Sequence, residues 1–138
     1  MALSYAYHAG NVSHSSAPEV NDTMFPIARS LNIELVPLDG ATSCGAGIIR
    51  QANKRLQLTL NARTFAMAEN LGLDIITPCA TTSGNLNEDL QTLNDDPILL
   101  AEVNTILDKT CGLQFNGSVC LLYTSDAADE EDSVDLGG

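Results

Sequence analysis

The sequence predicts an α/β domain, a small and mostly parallel sheet of about four strands flanked by helices, with its site at the carboxyl ends of the strands. Three observations predict it. Short apolar runs alternate with amphipathic helical patterns, as a parallel sheet covered by helices requires. The run Leu73 to Thr77 lacks the polar–apolar alternation of a half-exposed strand, which marks a strand buried on both faces. Each of the first three runs opens into a polar loop before the next helix begins.

Ser4 to His8 is the first strand, ended by Ala9 and Gly10, and Asn11 to Ala17 reads as a polar loop. Pro18 and Glu19 start a helix in which Val20, Met24, Ile27, Ala28 and Leu31 share a face, with Pro26 predicting a kink or a late start. Ile33 to Leu38 is the second strand, and Asp39-Gly40 opens a loop carrying Ser43, Cys44 and Gly45. A short helix near residues 47–53 precedes a longer one over 56–71, where Leu56, Leu60, Met67 and Leu71 form the expected apolar stripe. Gly72 stops it, since glycine accepts the left-handed conformation at a helix end.

After the third strand, Pro78 and Cys79 begin a loop that runs to Asn85 and Glu88, which read as a capping pair for a short helix to about Leu93. Asp95-Asp96-Pro97 starts the last helix, through Leu107, with Leu99, Leu100, Val103 and Leu107 on its core face. Residues 113–117 turn the chain toward a final strand, for which Val119 to Tyr123 has the composition of an edge.

At 138 residues the chain fits one domain. No apolar run is long enough to cross a bilayer, and the first ten residues lack a basic start and an apolar core, so no secretory signal is read and a cytoplasmic location is expected. The net charge of −12 disfavours a nonspecific nucleic-acid binder. Six of the acids lie between Asp126 and Asp135, and Met1 to Cys120 carries twelve acids against six bases, ordinary for a soluble domain.

The segment Cys120 to Glu130 resembles the translation of a transposase adapter used in sequencing libraries. On that reading residues 1–119 are the domain and residues 120–138 are adapter-derived; the other reading is a disordered acidic tail.

Four cysteines, Cys44, Cys79, Cys111 and Cys120, stand at spacings that fit no zinc finger, and without an export signal they read as thiols or ligands. Composition alone would make them buried, inert packing residues. No serine sits in an elbow motif for a hydrolytic triad, and Gly45-Ala46-Gly47 is too short for a dinucleotide fingerprint. Pattern does, however, bring Asn11, Ser43-Cys44 and Cys79 to Thr82 to the same end of the sheet, where open α/β sheets place their sites.

Those loops carry a resemblance. Tyr5 to Asn11 resembles the opening strand and Y-x-P-G-C turn of the CCG cysteine-rich domains found in the heterodisulfide reductase B-subunit and in the non-classical succinate dehydrogenase anchor subunit. Ser43-Cys44-Gly45-Ala46-Gly47 resembles their C-C-G-x-G turn, and Pro78 to Gly84 their C-x-x-C loop. The intervals of 31 residues between Asn11 and Ser43 and 34 between Cys44 and Cys79 are similar to the family's. The resemblance implies the α/β fold, electron transfer between partner subunits of an oxidoreductase complex, and an iron–sulfur cluster or zinc held by cysteines. It places the five cofactor positions at Asn11, Ser43, Cys44, Cys79 and Thr82, of which three are not cysteine. It also implies that a second such domain follows in a full-length protein, and that peripheral membrane association comes through partners.

Three readings of the two remaining thiols follow. The site is vestigial, with Ser43 and Thr82 hydroxyls capping helices; or Cys44 and Cys79 form a redox pair; or His8 or His14 joins them to bind zinc. Cys111 reads as packing at a helix end. The expected function is an electron-transfer subunit fragment whose cluster ligands are largely lost, with catalysis belonging to the assembly. The rival is a cofactor-free interaction module of the same fold.

Overall fold

A computed structural model describes residues 2–123. Of the tail read as residues 120–138, residues 124–138 lie outside them, while Cys120 to Tyr123 are described and lead into and form the last strand. The chain runs β1 (Leu3–Tyr7), α1 (Gly10–His14), α2 (Pro18–Ser30), β2 (Ile33–Pro37), α3 (Ile48–Ala52), α4 (Lys54–Leu71), β3 (Ile75–Thr77), α5 (Ala80–Asp95), α6 (Pro97–Cys111) and β4 (Leu121–Tyr123). The strands form one sheet in the order β2-β1-β3-β4, and every pairing is parallel. The chain therefore steps one way from β1 to β2 and the other way from β2 to β3 and β4. Connections from neighbouring strands diverge at β1 and β3, the point beyond whose carboxyl ends open α/β sheets place their sites.

The first core-facing pair is Ala6 and Ile75, in register and fully buried. Above it pack Phe65 of α4 and Phe115, ring centroids 5.2 Å apart, with Leu86, Leu93, Val103 and Leu107 from α5 and α6. The other face is covered by α2, where Phe25 meets Tyr7 edge-on at 5.2 Å and the Tyr7 hydroxyl donates to Asn21 Oδ1 at 3.0 Å.

Several expected details differ. Helix α2 runs through Pro26 without a late start; the proline and Asp22, whose carbonyl loses the helical donor, are both exposed, so water can serve that carbonyl. Of its expected stripe only Ala28 is buried; Ile27 and Leu31 are exposed. Asn11, expected in a loop, is the second residue of the short helix α1. The stripe expected on α4 is out of phase: Leu56 and Leu71 are about half exposed, and the buried face is Gln57, Leu58, Asn61, Ala62, Thr64, Phe65, Ala66 and Ala68. Polar side chains turn inward there because the neighbouring helix α5 supplies partners.

Helix α5 begins at Ala80, with Cys79 as its cap, so Asn85 and Glu88 lie inside the helix rather than capping it. The α6 start is as read: Asp96 accepts from Leu99 N–H at 3.0 Å and Pro97 follows. Cys111, expected to pack, is exposed at the end of α6, its thiol donating to the Leu107 carbonyl. Gly72 ends α4 at φ +66°.

The approach to β4 is fixed by two carboxylates. Glu69 accepts from the Asn116 and Ser118 amides at 2.8 and 2.7 Å, and Asp74 accepts from the Cys120 amide at 2.9 Å. Leu121 to Tyr123 then pair with Ile75 to Thr77.

Candidate functional site

The three β-to-α turns meet at the carboxyl ends of β1, β2 and β3. Gly10 sits so close to the third turn that a Cβ on it would lie 2.4 Å from Cys79 Cβ, and its φ of +80° also calls for glycine. The same point lies 3.2 Å from Cys79 Sγ and 3.1 Å from Thr82 Oγ1, so thiol and hydroxyl crowd one spot over the first turn. Asn11 ties the first turn to the second, its Nδ2 donating to Cys44 Sγ at 3.7 Å.

Cys44 is fully buried, and its carbonyl receives two side-chain amides, Asn61 Nδ2 at 3.0 Å and Asn85 Nδ2 at 2.6 Å. Asn61 also donates to Asp89 Oδ2 at 2.6 Å, and Gln57 Nε2 donates to the same oxygen at 2.7 Å. Asp89 is fully buried, and Lys54 Nζ lies 3.6 Å from its other oxygen. Arg50 donates to Asn85 Oδ1 at 3.1 Å and to Glu88 at 2.6 Å. Lys54 and Arg50 together hold the exposed Glu88 carboxyl below its usual range. A buried carbonyl is thereby satisfied twice, and the Cys44 loop is fastened to both α4 and α5.

Gln57, Asn61, Asn85 and Asp89 carry no motif that singles them out as a network in the sequence. Their spacing is nevertheless a signal: Gln57 and Asn61, like Asn85 and Asp89, stand four apart, which puts each pair on one helix face.

Cys79 has a different environment. Its amide donates to Thr77 Oγ1 at 3.3 Å, and its carbonyl accepts the first bond of α5 from Ser83 at 2.9 Å. Burial opposes ionisation of its thiol, but the Thr82 hydroxyl and the backbone N–H groups of Thr82, Val12 and Asn11 outweigh it and hold the thiol below its ordinary value. The Thr82 hydroxyl, fully buried, stands beside the sulfur yet makes no well-directed hydrogen bond of its own.

Ser43 is exposed, and its hydroxyl accepts from the Gly45 amide at 3.2 Å, closing the turn rather than capping α3. Thr82, likewise expected to cap a helix, lies three residues past the Cys79 cap and caps nothing. Both ring nitrogens of His8 are used: Gly10 N–H donates to Nδ1 at 3.1 Å, and Nε2 meets the Thr42 carbonyl at 3.0 Å, which selects the tautomer protonated on Nε2. Burial is the main cause that lowers the His8 pKa. His8 and His14 line a cavity of about 250 Å³ with Tyr7, Asn21 and Phe25, and neither Cys44 nor Cys79 lines it. The structure thus brings Asn11, Cys44, Cys79 and Thr82 together, while the histidines face elsewhere. Among the described residues, no three His, Cys, Asp or Glu side chains are gathered to hold a metal ion.

Residues 5–87, more than half of the chain, match the family described as "Cysteine-rich domain" (CCG). The chain belongs to the CCG family. Over 91 residues this CCG chain is 32% identical to the B-subunit of the ferredoxin/F(420)H(2)-dependent CoB-CoM heterodisulfide reductase of Methanosarcina acetivorans, covering 65% of this chain and 30% of that one. It is 32% identical over 81 residues to the 8-methylmenaquinol:fumarate reductase membrane anchor subunit of Wolinella succinogenes, covering 59% and 28%. The chain therefore spans about a third or less of these relatives. Its fold is also that of a hypothetical protein from Helicobacter pylori, at TM-score 0.81 and 16% identity, over 92% of this chain and 25% of that one. No helix among the described residues is long and apolar enough to cross a membrane.

Proposed function

We propose that this CCG chain is part of an electron-transfer subunit of an oxidoreductase complex, of heterodisulfide reductase or succinate dehydrogenase type, whose cluster ligands have largely been replaced. The names of its relatives support the class of assembly. The single observation that carries the second half is the donor set where the turns meet: two thiols, one carboxamide and a buried hydroxyl, with the exposed Ser43 at the rim. Carboxamide and hydroxyl groups are poor ligands for iron beside thiolate, so this set does not fit an iron–sulfur cluster held by the chain alone. The proposal takes residues 1–119 as the first of two such domains in a cytoplasmic, membrane-peripheral assembly. Reading the gene beyond codon 119 tests that part.

The functional test is anaerobic purification from the native host, with mass spectrometry of the co-purifying subunits and analysis of iron, zinc and acid-labile sulfide. Oxidoreductase subunits should co-purify, with the isolated chain holding metal far below one equivalent. Stoichiometric iron and sulfide in the isolated chain would overturn ligand loss. Recovery of the chain without redox partners would favour a cofactor-free interaction module of the same fold, a reading that the deep burial of both thiols supports.

A further inference from the structure

The four thiols of the chain are not equivalent. The Cys111 thiol is exposed and donates to the Leu107 carbonyl at 3.2 Å, a bond that needs the proton on sulfur. Cys120 is exposed on the approach to β4. Cys44 is sealed, with the side chain of Asn11 as its donor at 3.7 Å. Cys79 instead is pressed against the first turn, its sulfur 3.2 Å from the point a Cβ on Gly10 would occupy, and the N–H groups of Asn11, Val12 and Thr82 help to hold its thiol below the ordinary value.

A second observation is independent of those amides. Thr82 Oγ1 is fully buried and reaches the Cys79 sulfur beside it only by a poorly directed contact, whereas Thr92 bonds the Glu88 carbonyl of its own helix. It stands over the same point above Gly10 as Cys79 Sγ, 3.1 Å and 3.2 Å from it respectively. Such a hydroxyl beside a nucleophilic atom suits a small ligand whose oxygen accepts a proton as its bond breaks.

We propose that Cys79 is a peroxide-reactive thiol, with Thr82 as the hydrogen-bond donor to the departing oxygen. The sulfur attacks one oxygen of hydrogen peroxide, the S–O bond forms as the O–O bond breaks, and the thiol proton ends on the departing oxygen. The thiol becomes a sulfenic acid by a two-electron oxidation, and the peroxide is reduced to one water that leaves. Hydrogen peroxide is close to water in size, so the slight exposure of Cys79, 3%, admits it where larger oxidants are shut out. Membership in a complex is not required for this reactivity.

The test treats the reduced, full-length chain with hydrogen peroxide for timed intervals, removes the peroxide with catalase, unfolds the chain in urea containing dimedone, and follows the adduct at each cysteine by peptide mass spectrometry. The Cys79 adduct should form about tenfold faster than those at Cys111 and Cys120, although both of these are exposed. Thr82→Val should slow Cys79 labelling several-fold while labelling at Cys111 is unchanged, and Thr82→Ser should restore it. Labelling of Cys79 no faster than that of Cys111 overturns the proposal, and the wild-type comparison decides this even if the valine variant fails to fold. A folded Thr82→Val protein labelled at the wild-type rate overturns the role of Thr82.

Discussion

Asn11 places its side-chain amide 3.7 Å from the Cys44 sulfur, while its backbone N–H helps to hold the Cys79 thiol below the ordinary value. One residue of the first turn thus serves both thiols as a donor. On the family resemblance, the first position thus offers N–H donors where a cysteine would offer sulfur.

That arrangement can be reversed. Asn11→Cys, Ser43→Cys and Thr82→Cys together should turn the donor set back toward five thiols. After anaerobic reconstitution the triple variant is expected to retain iron and sulfide and to show sulfur-to-iron absorption, whereas the parent chain is expected to show neither. Iron analysis and visible spectra check both.

Gly10 should tolerate no side chain. Gly10→Ala drives a methyl into Cys79 Cβ at 2.4 Å and holds alanine at φ +80°, for a loss of about 2–4 kcal/mol in urea unfolding. Gly84→Ala is the matched control: its Cβ meets nothing within 4 Å and its backbone is helical, so a gain of roughly 0.5–1 kcal/mol is expected.

The amides on the Cys44 carbonyl should be worth more than surface hydrogen bonds. Asn85→Leu is expected to cost about 1–3 kcal/mol, because it strips Arg50 of a partner as well as the Cys44 carbonyl of one of its two donors. Asn61→Leu should cost at least as much, since it also takes a donor from the buried Asp89. Denaturant midpoints of the two variants test the order.

His8 sets an acid limit. Its neutral form is favoured in the folded state, mainly through burial, so its folded pKa lies below the unfolded value of 6.5. Between those two values the unfolded chain binds more protons, and stability rises with pH. The contribution is complete above pH 6.5 and is lost as pH falls through the folded pKa. Urea midpoints of the wild type and His8→Asn should differ in pH dependence below 6.5 and run parallel above it.

Much of the fold can be read from residue pattern because its punctuation is chemical. Asp96-Pro97 and Gly72 start or end helices for reasons of capping and backbone conformation, and both stand where expected. Parallel strands such as Ile33 to Pro37 needed only an apolar run of the right length. The misplaced elements share a cause. On α4, Gln57 and Asn61 count as outward residues in any apolar stripe, yet Asp89 and the Cys44 carbonyl accept from their amide nitrogens inside, and the phase of the helix shifts accordingly. At α5, Asn85 has the look of a cap, but its partner is 41 residues away in sequence.

The convergence of Asn11, Cys44, Cys79 and Thr82 follows from three parallel strands, and so was accessible from order alone. The separation of the histidines was not, because it depends on which side of β1 the first turn exposes. Nor does residue order reveal that the Thr82 hydroxyl is left without a well-placed acceptor.

Glu69 and Asp74 hold the chain by three of its amides before β4 begins, and Glu69 takes the Ser118 hydroxyl as well. The direction of the last strand is consequently dictated from outside it. Leu121 packs against the core once the strand is in place, but altering either carboxylate would leave the slot beside β3 without an address.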